Sequence, residues 1–188
     1  DPFTVRMGMV QSSKRTLPSL DEPSGSFMQE TVSPNVAFKR MEGFRIAYVE
    51  HRGPYSEIGR AFQRLLRLLS ERRLRPGGPM IAIYYDNPTK PTLAKPQSEA
   101  GVPIIGEVKP DNELRARDMP PAEVASTIYE GPPSQYAERV ALLLEWIDAN
   151  GFEPVGPFRE IYARDLTELP PGILYVETQV PIRKRHRR

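Results

Sequence analysis

Gly53-Pro54 returns as Gly131-Pro132, 78 positions further on, and the same offset holds without a gap for about sixty residues. Leu65-Leu66 returns as Leu143-Leu144, and Pro76, Gly78 and Pro79 return as Pro154, Gly156 and Pro157. Ile83-Tyr84 becomes Ile161-Tyr162, and Glu99, Val102, Pro103 and Ile104 become Glu177, Val180, Pro181 and Ile182. Compositional bias yields one or two such coincidences, not an ungapped series of landmarks, so the chain is a tandem duplication. Any fold it adopts must use one topology twice.

Both copies give the same order of elements. Arg45 to His51 alternates as a strand, Gly-Pro interrupts it, and Ser56 stands where a helix N-cap would, with Glu57 in the first turn. Ile58, Phe62, Leu65 and Leu69 form an apolar stripe at helical spacing, mirrored by Tyr136, Val140, Leu143 and Ile147. The first helix should stop near Arg72 and the second at Asn150-Gly151, where glycine supplies a left-handed cap. Met80 to Asp86 and Gly101 to Val108 read as the closing strands of the first copy, and Phe158 to Arg164 and Leu174 to Ile182 as those of the second. The unit is strand-helix-strand-strand, twice, over about 45–104 and 123–182. One such half has too little apolar surface to fold independently, so the two should pair about a pseudo-twofold axis, with a central groove there as the natural ligand site. The class is α+β.

Composition closes off several chemistries. Cysteine is absent, which excludes a thiol nucleophile, a disulfide framework and a cysteine-ligated metal, and two histidines leave a His-rich metal centre or a Ser-His-Asp triad almost nothing to work with. We expect no metal and no cofactor. Five of the 26 Lys and Arg residues lie in the last six positions, leaving 21 basic against 24 acidic groups, a net of −3, in the remainder. The body therefore carries no electrostatic footprint for nucleic acid, and the end of the chain, 184–188, reads as a solvated basic tail. Residues 1–34 read as a leader followed by a Ser- and Pro-rich arm without periodicity, and 35–183 as a single domain. No stretch approaches the roughly 18 apolar residues of a membrane-spanning helix and no signal-peptide core is present, so the expected location is cytoplasmic.

Four runs in order, Gly53-Pro54-Tyr55, Ile81 to Pro88, Gly156 to Tyr162 and Tyr175 to Ile182, resemble the GyrI-like small-molecule-binding family over about residues 36–182. That resemblance implies a curved antiparallel sheet with two helices and a pocket for bulky, lipophilic, often cationic compounds. It also implies an acid in the last strand at the base of the pocket, matched here by Glu177. Tyr175 and Gln179 share the parity of Glu177 on its strand, while Glu160 and Tyr162 share a parity on the strand before it. Trp146, which stands where the first copy has Leu68, falls on the shoulder of its helix, and Tyr84 and Tyr162 match across the repeat. The candidate ligand-binding residues are thus Glu177, Glu160, Tyr162, Trp146 and Tyr84. Glu99, the image of Glu177, reads as a structural bridge.

Two functions follow. As a binding module, the protein would hold a lipophilic or cationic compound. As a hydrolase like some family members, it would open cyclopropane-bearing toxins, with Glu177 orienting water and Tyr162 assisting at the developing oxyanion. A regulatory role is disfavoured, because family regulators carry a separate helix-turn-helix domain and only about 35 poorly patterned residues precede this fold. A gyrase-directed or other protein partner has no support in the residues.

Overall fold

The computed structural model describes residues 35–94, 96–164 and 168–185. The leader and arm, and the end of the tail from His186, lie outside them. Nine strands and two helices follow in the order β1 (Val36–Met41), β2 (Phe44–Arg52), α1 (Ile58–Glu71), β3 (Met80–Tyr84), β4 (Gln97–Pro103), β5 (Arg115–Met119), β6 (Ala122–Gly131), α2 (Tyr136–Ala149), β7 (Phe152–Pro154), β8 (Phe158–Tyr162) and β9 (Leu174–Lys184). The strands form one antiparallel sheet ordered β1-β6-β9-β8-β3-β4-β2-β5, with β7 added along β9.

That order is a palindrome under the 78-residue offset. Shifting β1, β2, β3 and β4 by the repeat lands on β5, β6, β8 and β9, so the right half of the sheet is the left half turned about an axis between β3 and β8. In the β3–β8 register Ala82 faces Glu160, and these two are each other's repeat images. The pseudo-twofold axis therefore passes through that pair. Each repeat carries an edge strand, β1 or β5, that its apolar pattern does not announce, and these two are exchanged, while the second copy also adds the short β7. β1 precedes the first copy but pairs with β6 of the second, and β5 precedes the second but pairs with β2 of the first.

The helices begin differently from expectation. A 3-10 turn over Tyr55–Glu57 leads into α1 and makes no side-chain cap bond, so Ser56 is not the N-cap; Glu57 is. Gly-Pro ends the preceding strand, and the single tight turn swings the chain over the sheet before the helix can start. β4 also lies earlier than 101–108, because Glu99 and Gly101 pair with Ile83 and Ile81 and the chain leaves the sheet after Pro103. The last strand runs through Lys184, whose ammonium lies 4.8 Å from the Phe152 ring, and Arg183 pairs with Glu153 at 2.6 Å, so the tail begins in ordered structure.

At the C-termini of the helices the copies differ in a measurable way. Gly151 closes α2 at φ +72°, and its image Arg73 adopts φ +55° after α1. A left-handed conformation is strained for any residue with a Cβ. Arg73→Gly should therefore raise stability by about 0.5–1 kcal/mol in denaturant melts, the relief of strain outweighing the entropy glycine adds to the unfolded chain.

Both helices pack on one face of the sheet. Leu65, Leu68 and Leu69 of α1 meet Ala47, Val49, Ala100 and Val102, and Val140, Leu143 and Ile147 of α2 meet Ala125, Val180 and Ile182. Full burial of each such Leu or Ile contributes about 1.5–3 kcal/mol. The opposite face carries no helix, yet Ile46, Tyr48, Ile81, Ile83 and Met119 are buried there against one another. No helix among the described residues is long and apolar enough to cross a membrane.

Candidate functional site

Glu160 projects from β8 at the pseudo-twofold axis, on the helix-covered face, and is 5% exposed. Three phenols converge on it. Tyr84 from β3 and Tyr162 from β8 donate to Oε2 at 2.9 and 2.6 Å, and Tyr136, the first residue of α2, donates to Oε1 at 2.6 Å. The Tyr136 oxygen also lies 2.8 Å from Thr178 Oγ1; since its own proton is given to Glu160, the threonine is the donor there. Phe62 of α1 packs edge-on against Tyr162, and Tyr55 against Tyr84. Burial, followed by the Glu160 charge, pushes the Tyr84, Tyr136 and Tyr162 phenols well above the usual tyrosine range. They are poor acids and steady hydrogen-bond donors.

This site arises where the duplication departs from symmetry. Its members Glu160, Thr178 and Tyr136 stand where the first copy has Ala82, Ala100 and Ile58, whereas Tyr84 and Tyr162 are repeat partners. Tyr136 and Thr178 were missed from sequence. Tyr136 falls on the apolar stripe of its helix and so reads as core, and the available signal was an aromatic hydroxyl replacing an aliphatic side chain at the image position.

Glu177 is placed elsewhere. β9 pairs with β8 so that Glu177 faces Ile161 and Thr178 faces Glu160, which puts Glu177 on the helix-free side of the sheet. It shares no site with Glu160, Tyr84 or Tyr162, and the pairing of Glu177 with Tyr162 for water activation is not made. Glu177 accepts from Lys39 of β1 at 2.6 Å and from Gln179 at 3.1 Å. Its image Glu99 takes both Nη atoms of Arg117, the image of Lys39, at 2.9 and 2.5 Å. Each exchanged edge strand is thus tied by one ion pair to the strand two places inward. Trp146 is also remote: it stacks on Phe152 near the C-terminal end of α2, with ring centroids 6.2 Å apart, and Phe152 stacks in turn on Phe38. Tyr136 and Trp146 are ten residues apart on one helix, about 15 Å along its axis.

Burial works against the charged form of Glu177, but the hydrogen bonds and charge of Lys39, with Gln179, outweigh it and hold the carboxyl below its ordinary value. A depressed carboxylate pKa means stability that is fully present above the unfolded value, near 4.5, and is lost as pH falls through the folded one. Glu177→Gln should therefore flatten the acid limb of the stability profile below about pH 5. The pair is partly solvated, with Lys39 37% exposed, so the expected difference is at most about 1 kcal/mol. Melts between pH 7 and pH 3 check it.

The helix-free side holds a groove of about 530 Å³, walled by Met119, Pro121, Pro157 and Pro181 and reached by Arg117 and Arg159. Its polar groups are mainly basic. The Glu160 cluster, on the other face, presents a carboxylate instead.

The sequence profile of the GyrI-like small molecule binding domain matches residues 34–183. No curated protein sequence matches the chain. Among solved structures, the chain resembles EcmrR in its complex with DNA, with TM-score 0.73 and 16% identity over 84% of this chain and 60% of that one. It therefore spans less than two thirds of EcmrR. It also resembles the EcmrR C-terminal domain, with TM-score 0.67 and 15% identity over 81% of this chain and 99% of that one. A third similar structure is SAV2435 bound to tetraphenylphosphonium, with TM-score 0.53 and 11% identity over 79% of this chain and 93% of that one.

Proposed function

The chain belongs to the GyrI-like small molecule binding domain family, and from that premise we propose that it binds a bulky lipophilic cation on the helix-covered face, with Glu160 as the counter-charge. One observation carries the proposal: Glu160 is almost fully buried and held by three phenols, yet among the described residues no Lys, Arg or His pairs with it. A buried carboxylate is costly to keep without an opposing charge, and hydroxyl donors offset only part of that cost. A cation whose charge is spread under aryl groups would supply the missing partner and lie against the faces of Tyr84, Tyr136, Tyr162 and Phe62, a contact favourable in its own right. Glu177 is the weaker nominee, since Lys39 already neutralises it. Space for the ligand must come from the ring itself. Tyr136 and Tyr162 are the half-buried members, and their rotation away from Glu160 would open the cluster between the first turns of α1 and α2.

Tetraphenylphosphonium, the compound bound to SAV2435, is the probe that tests this. Isothermal titration should detect it with a clear preference over neutral triphenylphosphine oxide, and the cation alone should raise the Tm. Equal affinity for the two compounds, or no binding of either, overturns the proposal. No observation favours the hydrolytic alternative, because the carboxylate and phenol nominated for it lie on opposite faces of the sheet.

A further inference from the structure

We propose that the groove on the helix-free face is a second ligand site, for an apolar organic anion such as an aryl carboxylate, sulfonate or sulfate, with Arg159 as its anchor. Arg159 is 4% exposed and lines the groove. Its Nε is buried without an acceptor, and among the described residues no carboxylate pairs with the guanidinium. Arg117, the other basic group in the groove, is already engaged by Glu99 in a two-pronged pair, so one positive charge is left over at the groove floor. Glu123 is the acidic lining residue, on the exposed rim. Burial and the Arg117 charge both push the Arg159 guanidinium below its ordinary pKa, the mark of a cation lacking its counter-ion.

The fold does not require an arginine here. The repeat image of Arg159 is Ile81, which packs in the small core on the same face. An aliphatic side chain therefore does the structural work of this position in the other half, and a buried charge in its place is a net cost that a bound anion would remove. A guanidinium presents a planar fork that matches carboxylate and sulfonate oxygens. Met119, Pro121, Pro157 and Pro181 give the apolar walls, and about 530 Å³ is within the range of small-molecule sites. Glu160 and Arg159 are consecutive residues of one strand that face opposite sides of the sheet, so the two sites carry opposite charge and are separated by its thickness.

The test is isothermal titration of the full chain with naphthalene-2-sulfonate and with its neutral isostere naphthalene-2-sulfonamide. The sulfonate should bind at least tenfold more tightly, Arg159→Ile should abolish that preference without lowering the Tm, and Glu160→Gln should leave it unchanged. Equal affinity of the two probes for the wild type overturns the proposal, as does a preference that survives Arg159→Ile. If Arg159→Ile does not fold, Arg159→Gln takes its place, and the wild-type preference still decides. Loss of tetraphenylphosphonium binding in Glu160→Gln with the sulfonate preference intact separates this site from the cation site.

Discussion

Glu160→Gln should weaken tetraphenylphosphonium by a factor of about ten to a hundred, roughly 1.4–2.8 kcal/mol, while the affinity for triphenylphosphine oxide changes less than threefold. The substitution removes charge and little volume, so the loss reports the Coulombic share of binding in a water-poor site. Folding should survive, because the hydrogen-bond network can be rewired. Tyr84 and Tyr162 donate to Oε2, which the amide retains as its carbonyl oxygen. The amide NH2 then stands where Oε1 was, donates to the Tyr136 oxygen, and turns the Tyr136 proton toward Thr178, which has an oxygen 2.8 Å away to accept it. The expected stability change is within about 1 kcal/mol of the wild type. An unchanged preference for the cation would show that the counter-charge is not Glu160.

Glu99→Gln should cost about 2–3 kcal/mol of folding free energy, several times the effect of the same change at Glu177. The two positions are repeat images, and the comparison sets a buried, two-pronged pair with arginine against a partly solvated, single bond to lysine. The Glu99 side chain is 6% exposed, accepts from Tyr85 at 2.7 Å as well as from Arg117, and meets an arginine that lies 4.2 Å over the Tyr48 ring. Removing its charge leaves Arg117 and Arg159 in one groove with no carboxylate paired to either among the described residues, and breaking a buried pair from one side is far more costly than deleting both partners. The fully buried figure of about 3–5 kcal/mol is discounted because Arg117 is 30% exposed. Urea melts of Glu99→Gln, Arg117→Gln and the double variant check this through the coupling energy. A double variant no more stable than the sum of the singles would mean the pair does not act as a unit.

The sheet also shows where reading a sequence stops. The offset of 78, the helical stripes on α1 and α2, and the parity of residues along each strand are local or self-similar properties, and they carried the α+β class, the duplication and the symmetric placement of Tyr84 and Tyr162. Val176, Val180 and Ile182 face the helices, as their alternation indicates. Parity along one strand says nothing about the phase of its neighbour. Glu177 and Glu160 could share a face or be divided by it, and the choice rests on the β8–β9 register, where Ile161 meets Glu177. That register is set by burial across the whole sheet and by the connection between the strands, neither of which is written in either strand alone.

The exchange of β1 and β5 was equally illegible. Val36-Ala37-Phe38-Lys39-Arg40-Met41 and Arg115-Ala116-Arg117-Asp118-Met119 lack the continuous apolar face that marks a half-buried strand, because each is an edge strand with one neighbour, and that neighbour belongs to the other repeat. What the sequence determined by itself was everything that recurs with a period, whether 78, 3.6 or 2, since a period needs no knowledge of partners. Only the tertiary structure decided that, among the described residues, the buried Glu160 stands without a cation and the buried Arg159 without an anion, because a charge is paired or orphaned by groups dozens of residues away, and the strand register brings those groups within reach or turns them to the other side.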